Sequence, residues 1–171
     1  MEKLVAEWEL NAERNYDDTY IFLKRLKGYG NQNKIDTIAK EKHDYFFSKI
    51  NCTKCANCCK TQSPYLTKAD IKRIADFKNL KPQDIIEQYL KPNEYDPRHL
   101  EMNALPCPFL EGNKCSIYDV RPADCEGYPN THKKQFTTRT IAHAANTLDC
   151  PAVFHIIEEM KCIFERNNRK W

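Results

Sequence analysis

The chain has 171 residues, which by length alone corresponds to one domain. Nine cysteines stand against only four glycines (Gly28, Gly30, Gly112 and Gly127), a set that cannot spell GxGxxG or a Walker A phosphate loop. The formal net charge is +3, and the surplus lies in the last 41 residues, with seven basic and four acidic side chains. That mild bias does not suggest a dedicated nucleic-acid binder.

Leu, Ile, Val and Phe together number 35, near the low edge for a chain that folds on apolar burial alone. No stretch approaches the ~18 apolar residues of a membrane span. Met1-Glu2-Lys3-Leu4 leads into acidic residues rather than an apolar signal segment. A cytoplasmic protein with no membrane partner is expected.

In chain order, residues 2–27 read as a helix, with Val5, Trp8, Ala12, Tyr16, Leu23 and Leu26 at helical steps and Gly28 as its stop. A second helix is expected over 33–49, with Ile35, Ile38, Tyr45 and Phe46 on one stripe. The segment from Asn51 to Lys60 is too dense in polar and small residues to read as regular structure. Thr67 reads as an N-cap, and Asp70 three residues later completes a capping box. That helix carries Ile71, Ile74 and Phe77. Pro82 suits the first position of another helix, carrying Ile85, Ile86, Tyr89 and Leu90. Residues 91–130 hold six of the nine prolines, which predicts an irregular loop region. A short helix over 139–148 and a tail helix from Pro151 to Asn167 complete the chain, with Val153, Ile157, Met160 and Phe164 on the tail's inner face. No strand alternation is evident. The expected fold is mainly α: accessory N-terminal helices over 1–50, then a small helical domain over 51–171 around an irregular, cysteine-rich metal-binding centre.

Eight cysteines fall between Cys52 and Cys150: Cys52, Cys55, Cys58, Cys59, Cys107, Cys115, Cys125 and Cys150. Without a secretory segment such a set points to metal binding or catalysis rather than disulfides, and an odd total cannot close into pairs. Cys52-Thr53-Lys54-Cys55-Ala56-Asn57-Cys58-Cys59 is the strongest signal. Two successive two-residue gaps match the three-ligand run of a bacterial ferredoxin, and the same gap serves tetrahedral zinc. Both metals select thiolate, so ligand softness does not separate them. Cys52, Cys55 and Cys58 are expected to share one site, closed by one downstream cysteine. Cys59 points to a different side, for a second site or none. Eight cysteines would also fill two four-thiolate sites.

The second half of the pattern is Cys107-Pro108-Phe109-Leu110, Cys115-Ser116-Ile117-Tyr118, Arg121-Pro122-Ala123-Asp124-Cys125 and Tyr128-Pro129. With the first block, it resembles the YkgJ-type cysteine-cluster family of zinc- or iron-chelating domains named for its CxxCxxCC motif. The resemblance runs over about 100 residues, from Cys52 to Cys150-Pro151. It implies a bound metal: an iron–sulfur cluster of [4Fe–4S] type first, or a structural zinc that presents the helices to a protein partner. One branch of the family is similar to flagellin lysine N-methylase, which implies S-adenosylmethionine and methyl transfer, but no segment of this chain is assignable to that ligand. Where the family usually has arginine after the RPxxC cysteine, this chain has Glu126, reversing the charge there.

The remaining candidates read as structural. Arg121 either offsets thiolate charge or lies in solvent, and Tyr118 and Tyr128 read as core packing. His43, His99, His132, His143 and His155 lack paired ligand spacing, with His132 nearest the cysteine blocks. Cys162, on the apolar tail helix, reads as a small buried residue.

Overall fold

The computed structural model describes residues 2–6 and 8–168. The elements run α1 (Glu2–Val5), α2 (Trp8–Arg14), α3 (Tyr16–Leu26) and α4 (Gln32–Phe47), then α5 (Cys52–Cys55), α6 (Asn57–Thr61), β1 (Tyr65–Leu66), α7 (Lys68–Lys78) and α8 (Pro82–Tyr89). Next come β2 (Leu90–Pro92), β3 (Leu100–Met102), β4 (Leu110–Glu111), β5 (Lys114–Cys115), α9 (Ala123–Gly127), α10 (Thr140–Asp149) and α11 (Pro151–Asn168). The fold is mainly α. Among the described residues no helix is long and apolar enough to cross a membrane.

The chain divides into two compact units, one from the chain up to Asn51 together with the chain from Pro129 onward, the other from Cys52 to Tyr128. In the first, α4 and α10 pack on α11, and α3 packs on α10. Leu23, Ile35, Ala39, Phe136, Ala144, Val153, Ile156, Ile157 and Met160 form its sealed interior. Asn31 caps α4 by accepting the Lys34 N–H at 3.0 Å. The Asp36 carboxylate accepts the N–H groups of Gln135 and Phe136 at 2.8 and 2.9 Å, which seats the Phe136 ring in the core.

The continuous helix expected over 2–27 is interrupted. Asn15, at φ −94° and ψ 3°, stands between α2 and α3, while its N–H still donates to the Asn11 carbonyl at 3.0 Å. The break between α10 and α11 has a clear cause. Cys150 precedes Pro151 and is extended, at φ −137° and ψ 112°, because the proline ring disfavours a helical residue before it.

In the second unit, α7 and α8 pack on each other. Ile71, Ile74, Ile85, Met102, Phe109 and Ile117 are almost fully enclosed around them. Pro82 stands at the start of α8, as read from the sequence. The irregular stretch expected over 91–130 instead contains strands. β3 lies between β1 and β2 in an antiparallel sheet, with Leu66 opposite Leu100 and Leu90 opposite Met102. β4 and β5 form a hairpin in which Leu110 faces Cys115. Its turn needs Gly112 at φ +62°, where a side chain is disfavoured. Strands of two or three residues are too short to leave an alternation in the sequence.

Candidate metal centre

The cysteine block does take regular form, contrary to the irregular segment expected. α5 places Cys52 and Cys55 three residues apart, on one face of a helical turn. Ala56 then adopts a left-handed conformation at φ 52°, and α6 begins immediately after it. The Ala56 N–H donates to the Cys52 carbonyl at 2.8 Å, and the Cys59 N–H donates to the Ala56 carbonyl at 3.1 Å. Two short turns joined by one reversed residue therefore set the four cysteines.

Downstream cysteines are tied to this block through the backbone. The Cys107 N–H donates to the Cys59 carbonyl at 2.8 Å. Leu110 returns a bond to the Cys107 carbonyl at 2.9 Å, and Leu110 is the hairpin partner of Cys115. At the hairpin turn, Asn113 Nδ2 donates to the Lys54 carbonyl at 3.0 Å, between Cys52 and Cys55. Cys125 lies in α9, whose neighbour Asp124 accepts the Tyr65 N–H at 3.2 Å.

The electrostatics of the thiols centre on Cys59. A hydrogen bond with Cys58 brings the Cys59 pKa down to about 7, aided by the nearby Lys60. Desolvation pushes Cys107 up to about 11 and Cys125 up to about 12, and the negative charge of Cys59 adds to both. Cys52 and Cys115 are raised in the same way, by desolvation first and by Cys59 among their neighbours, while Arg121 opposes the rise in each. Cys59, expected from the sequence to point to a different side, is thus the thiol whose charge adds to the rise at Cys52, Cys107, Cys115 and Cys125. Cys52 and Cys125 reach solvent, and the other five are half-buried. A bound cation would oppose the desolvation that raises Cys52, Cys107, Cys115 and Cys125.

The seven cysteines of this unit supply soft donors of the kind that a thiolate-binding metal selects. Among the described residues, no three His, Cys, Asp or Glu side chains are gathered tightly enough to hold an ion as they stand. Cys150 belongs to the other unit, half-buried against its apolar core. Cys162 is exposed rather than buried, because it falls on the outer face of α11 between Lys161 and Ile163.

Arg121 is the cationic side chain that opposes the pKa rise of Cys52 and Cys115. Its Nη1 donates to the Tyr118 carbonyl at 2.7 Å, and its guanidinium lies 4.1 Å from the Tyr118 ring centroid. Tyr118 is 45% exposed and packs against this arginine, so it does not fill the core as the sequence suggested. Tyr128 is half-buried. His132 belongs to the first unit, where its ring lies 4.6 Å from that of His43.

Residues 51–144 match the CxxCxxCC family, described as "Putative zinc- or iron-chelating domain". The match takes in all seven cysteines of the second unit and stops short of Cys150. An uncharacterized protein of Methanocaldococcus jannaschii is 33% identical over 95 residues, 53% of this chain and 50% of that protein. The chain thus spans about half the length of the curated relative it matches. No solved structure matches.

Proposed function

Because the chain belongs to the CxxCxxCC family, we propose that it is a metal protein whose second unit holds an iron–sulfur cluster of [4Fe–4S] type through cysteine thiolates. The observation that carries this reading is the gathering of Cys52, Cys55, Cys58, Cys59, Cys107, Cys115 and Cys125 in one unit. The Cys107 N–H donates to the Cys59 carbonyl, and the Asn113 side chain donates to the Lys54 carbonyl, tying the first block to the chain around Cys107 and Cys115. Four thiolates suffice for a [4Fe–4S] cluster as for one zinc, and two successive two-residue gaps match the three-ligand run of a bacterial ferredoxin. Cys150 is the eighth candidate ligand.

The protein's own groups have definable roles. Cys52, Cys55 and Cys58 supply three thiolates, and a downstream cysteine completes the set. Arg121 offsets part of the negative charge that four thiolates would concentrate. A bound cluster would supply one-electron transfer, at a potential set by charge and hydrogen bonding around its sulfurs.

A structural zinc is the second reading, favoured by the small core of this unit. Its apolar cluster has nine buried members, from Leu66 to Ile117. Thiolate–metal bonds would supply folding free energy that such a core lacks.

Cys55→Ser tests both readings. Loss of one ligand should lower metal content and melting temperature together, whereas Cys162→Ser should leave both unchanged. Unaltered metal stoichiometry and stability in Cys55→Ser would overturn the ligand set.

A further inference from the structure

The Asp70 side chain is 2% exposed, yet it is a carboxylate. A charge in that position is tolerated only when fully partnered. Its Oδ2 accepts from the Thr67 N–H at 2.9 Å and the Thr67 hydroxyl at 2.6 Å, and these contacts serve the cap of α7. Its Oδ1 serves something else. It accepts from Arg73 Nη2 at 2.8 Å and from the Ala123 N–H at 3.0 Å, 53 residues along the chain. The same Arg73 Nη2 donates to the Arg121 carbonyl at 2.8 Å.

These two bonds grip the backbone on either side of Pro122, the residue with the most restricted φ in the segment. Arg121 is thereby fixed at the position from which its guanidinium packs on Tyr118. Cys125 follows Ala123 by two residues, in the first turn of α9.

We propose that Asp70 and Arg73 are positioning residues of the metal centre, clamping the Arg121–Ala123 backbone so that Cys125 and the Arg121 guanidinium are held ready for a thiolate-bound metal. This inference rests on the thiolate-centre reading above. The clamp touches no sulfur. It acts by removing backbone freedom from a ligand that would otherwise be ordered only on metal binding, as outer partners of metal ligands commonly do.

The test is titration of the full-length, reduced, metal-free chain with Co²⁺, followed by the cobalt–thiolate absorption and by competition with Zn²⁺. Arg73→Met removes both clamp contacts that Arg73 makes and leaves the Thr67–Asp70 cap intact. It should weaken Co²⁺ binding by about 10-fold or more, the range seen for outer-partner mutations. Thr67→Ala removes the cap's hydroxyl bond to Oδ2 and leaves both Oδ1 bonds in place, so it should lower the melting temperature with a smaller change in Co²⁺ affinity than Arg73→Met. Asp70→Asn should fall between the two, and if it does not fold, Arg73→Met decides. Wild-type affinity in Arg73→Met would overturn the clamp. A wild-type chain that takes up no Co²⁺ would instead overturn the thiolate reading on which it rests.

Discussion

The buried carboxylate of Asp70 accepts the backbone N–H of Ala123 at 3.0 Å, joining the first turn of α7 to the start of α9. The same carboxylate closes the capping box with Thr67, so one side chain serves a local and a long-range purpose. Burial alone would raise its pKa. The hydrogen bonds from Thr67, Ala123 and Arg73 outweigh that and hold it below the usual carboxylate range.

Thr67→Ala should cost about 1 kcal/mol, the usual penalty for losing a side-chain N-cap. Urea unfolding of the metal-free protein, followed by circular dichroism, would show a lower midpoint with an unchanged slope. A midpoint equal to wild type would mean that the cap contributes nothing.

The Asn113 side chain links the β4–β5 turn to the carbonyl of Lys54, inside the first cysteine pair. Asn113→Ala removes that link and leaves the hairpin register untouched. Metal affinity should fall while the strand pairing of Leu110 with Cys115 persists, as read by amide exchange. Equal affinity would show that the cysteine block holds its shape without the hairpin.

Acid should weaken the first unit through its histidines. His143 is fully enclosed, stacks on Phe136 at 4.2 Å, and has its pKa lowered by desolvation from 6.5 to about 3. Desolvation also lowers His43, to about 4, with His132 adding to the effect. A histidine whose folded pKa is depressed binds its proton only on unfolding. Its contribution is therefore intact above pH 6.5 and declines as the pH falls from there towards 3. His143→Leu should flatten the melting-temperature profile over that window. A profile as steep as wild type would assign the acid sensitivity to other groups.

Much of this architecture is written locally. The Thr67–Asp70 box, the proline that opens α8, and the stop before Pro151 depend on neighbours within four residues, and each is found where the sequence puts it. The features that were not legible depend on distant partners or on brief geometry. Ala56 enters the left-handed region although nothing about alanine favours it, and that single residue turns a cysteine-rich segment into two helical turns. The short strands depend on pairing partners up to 36 residues away, such as Tyr65 opposite Glu101. The electrostatic link of Cys59 to Cys107, Cys115 and Cys125 joins residues far apart in the chain, which spacing does not show. Spacing pointed to the cysteines as candidate ligands of a metal centre but gave no order among them.

Metal removal should act on one unit. Chelation of the purified protein under reducing conditions should raise amide exchange across α5, α6, β4, β5 and α9, which carry the thiols. Exchange in α4, α10 and α11 should stay slow, because their core contains no proposed ligand apart from Cys150 at its margin. Equal loosening of both sets would show that Cys150, or the first unit as a whole, takes part in the centre.

The most direct measurement is metal and acid-labile sulfide analysis, with an absorption spectrum, on protein purified without oxygen. The account expects brown protein containing iron and labile sulfide in comparable amounts. Colourless protein with stoichiometric zinc and no sulfide would contradict the iron–sulfur assignment and leave the zinc reading standing. Protein free of any metal after reconstitution with either would contradict the thiolate centre itself.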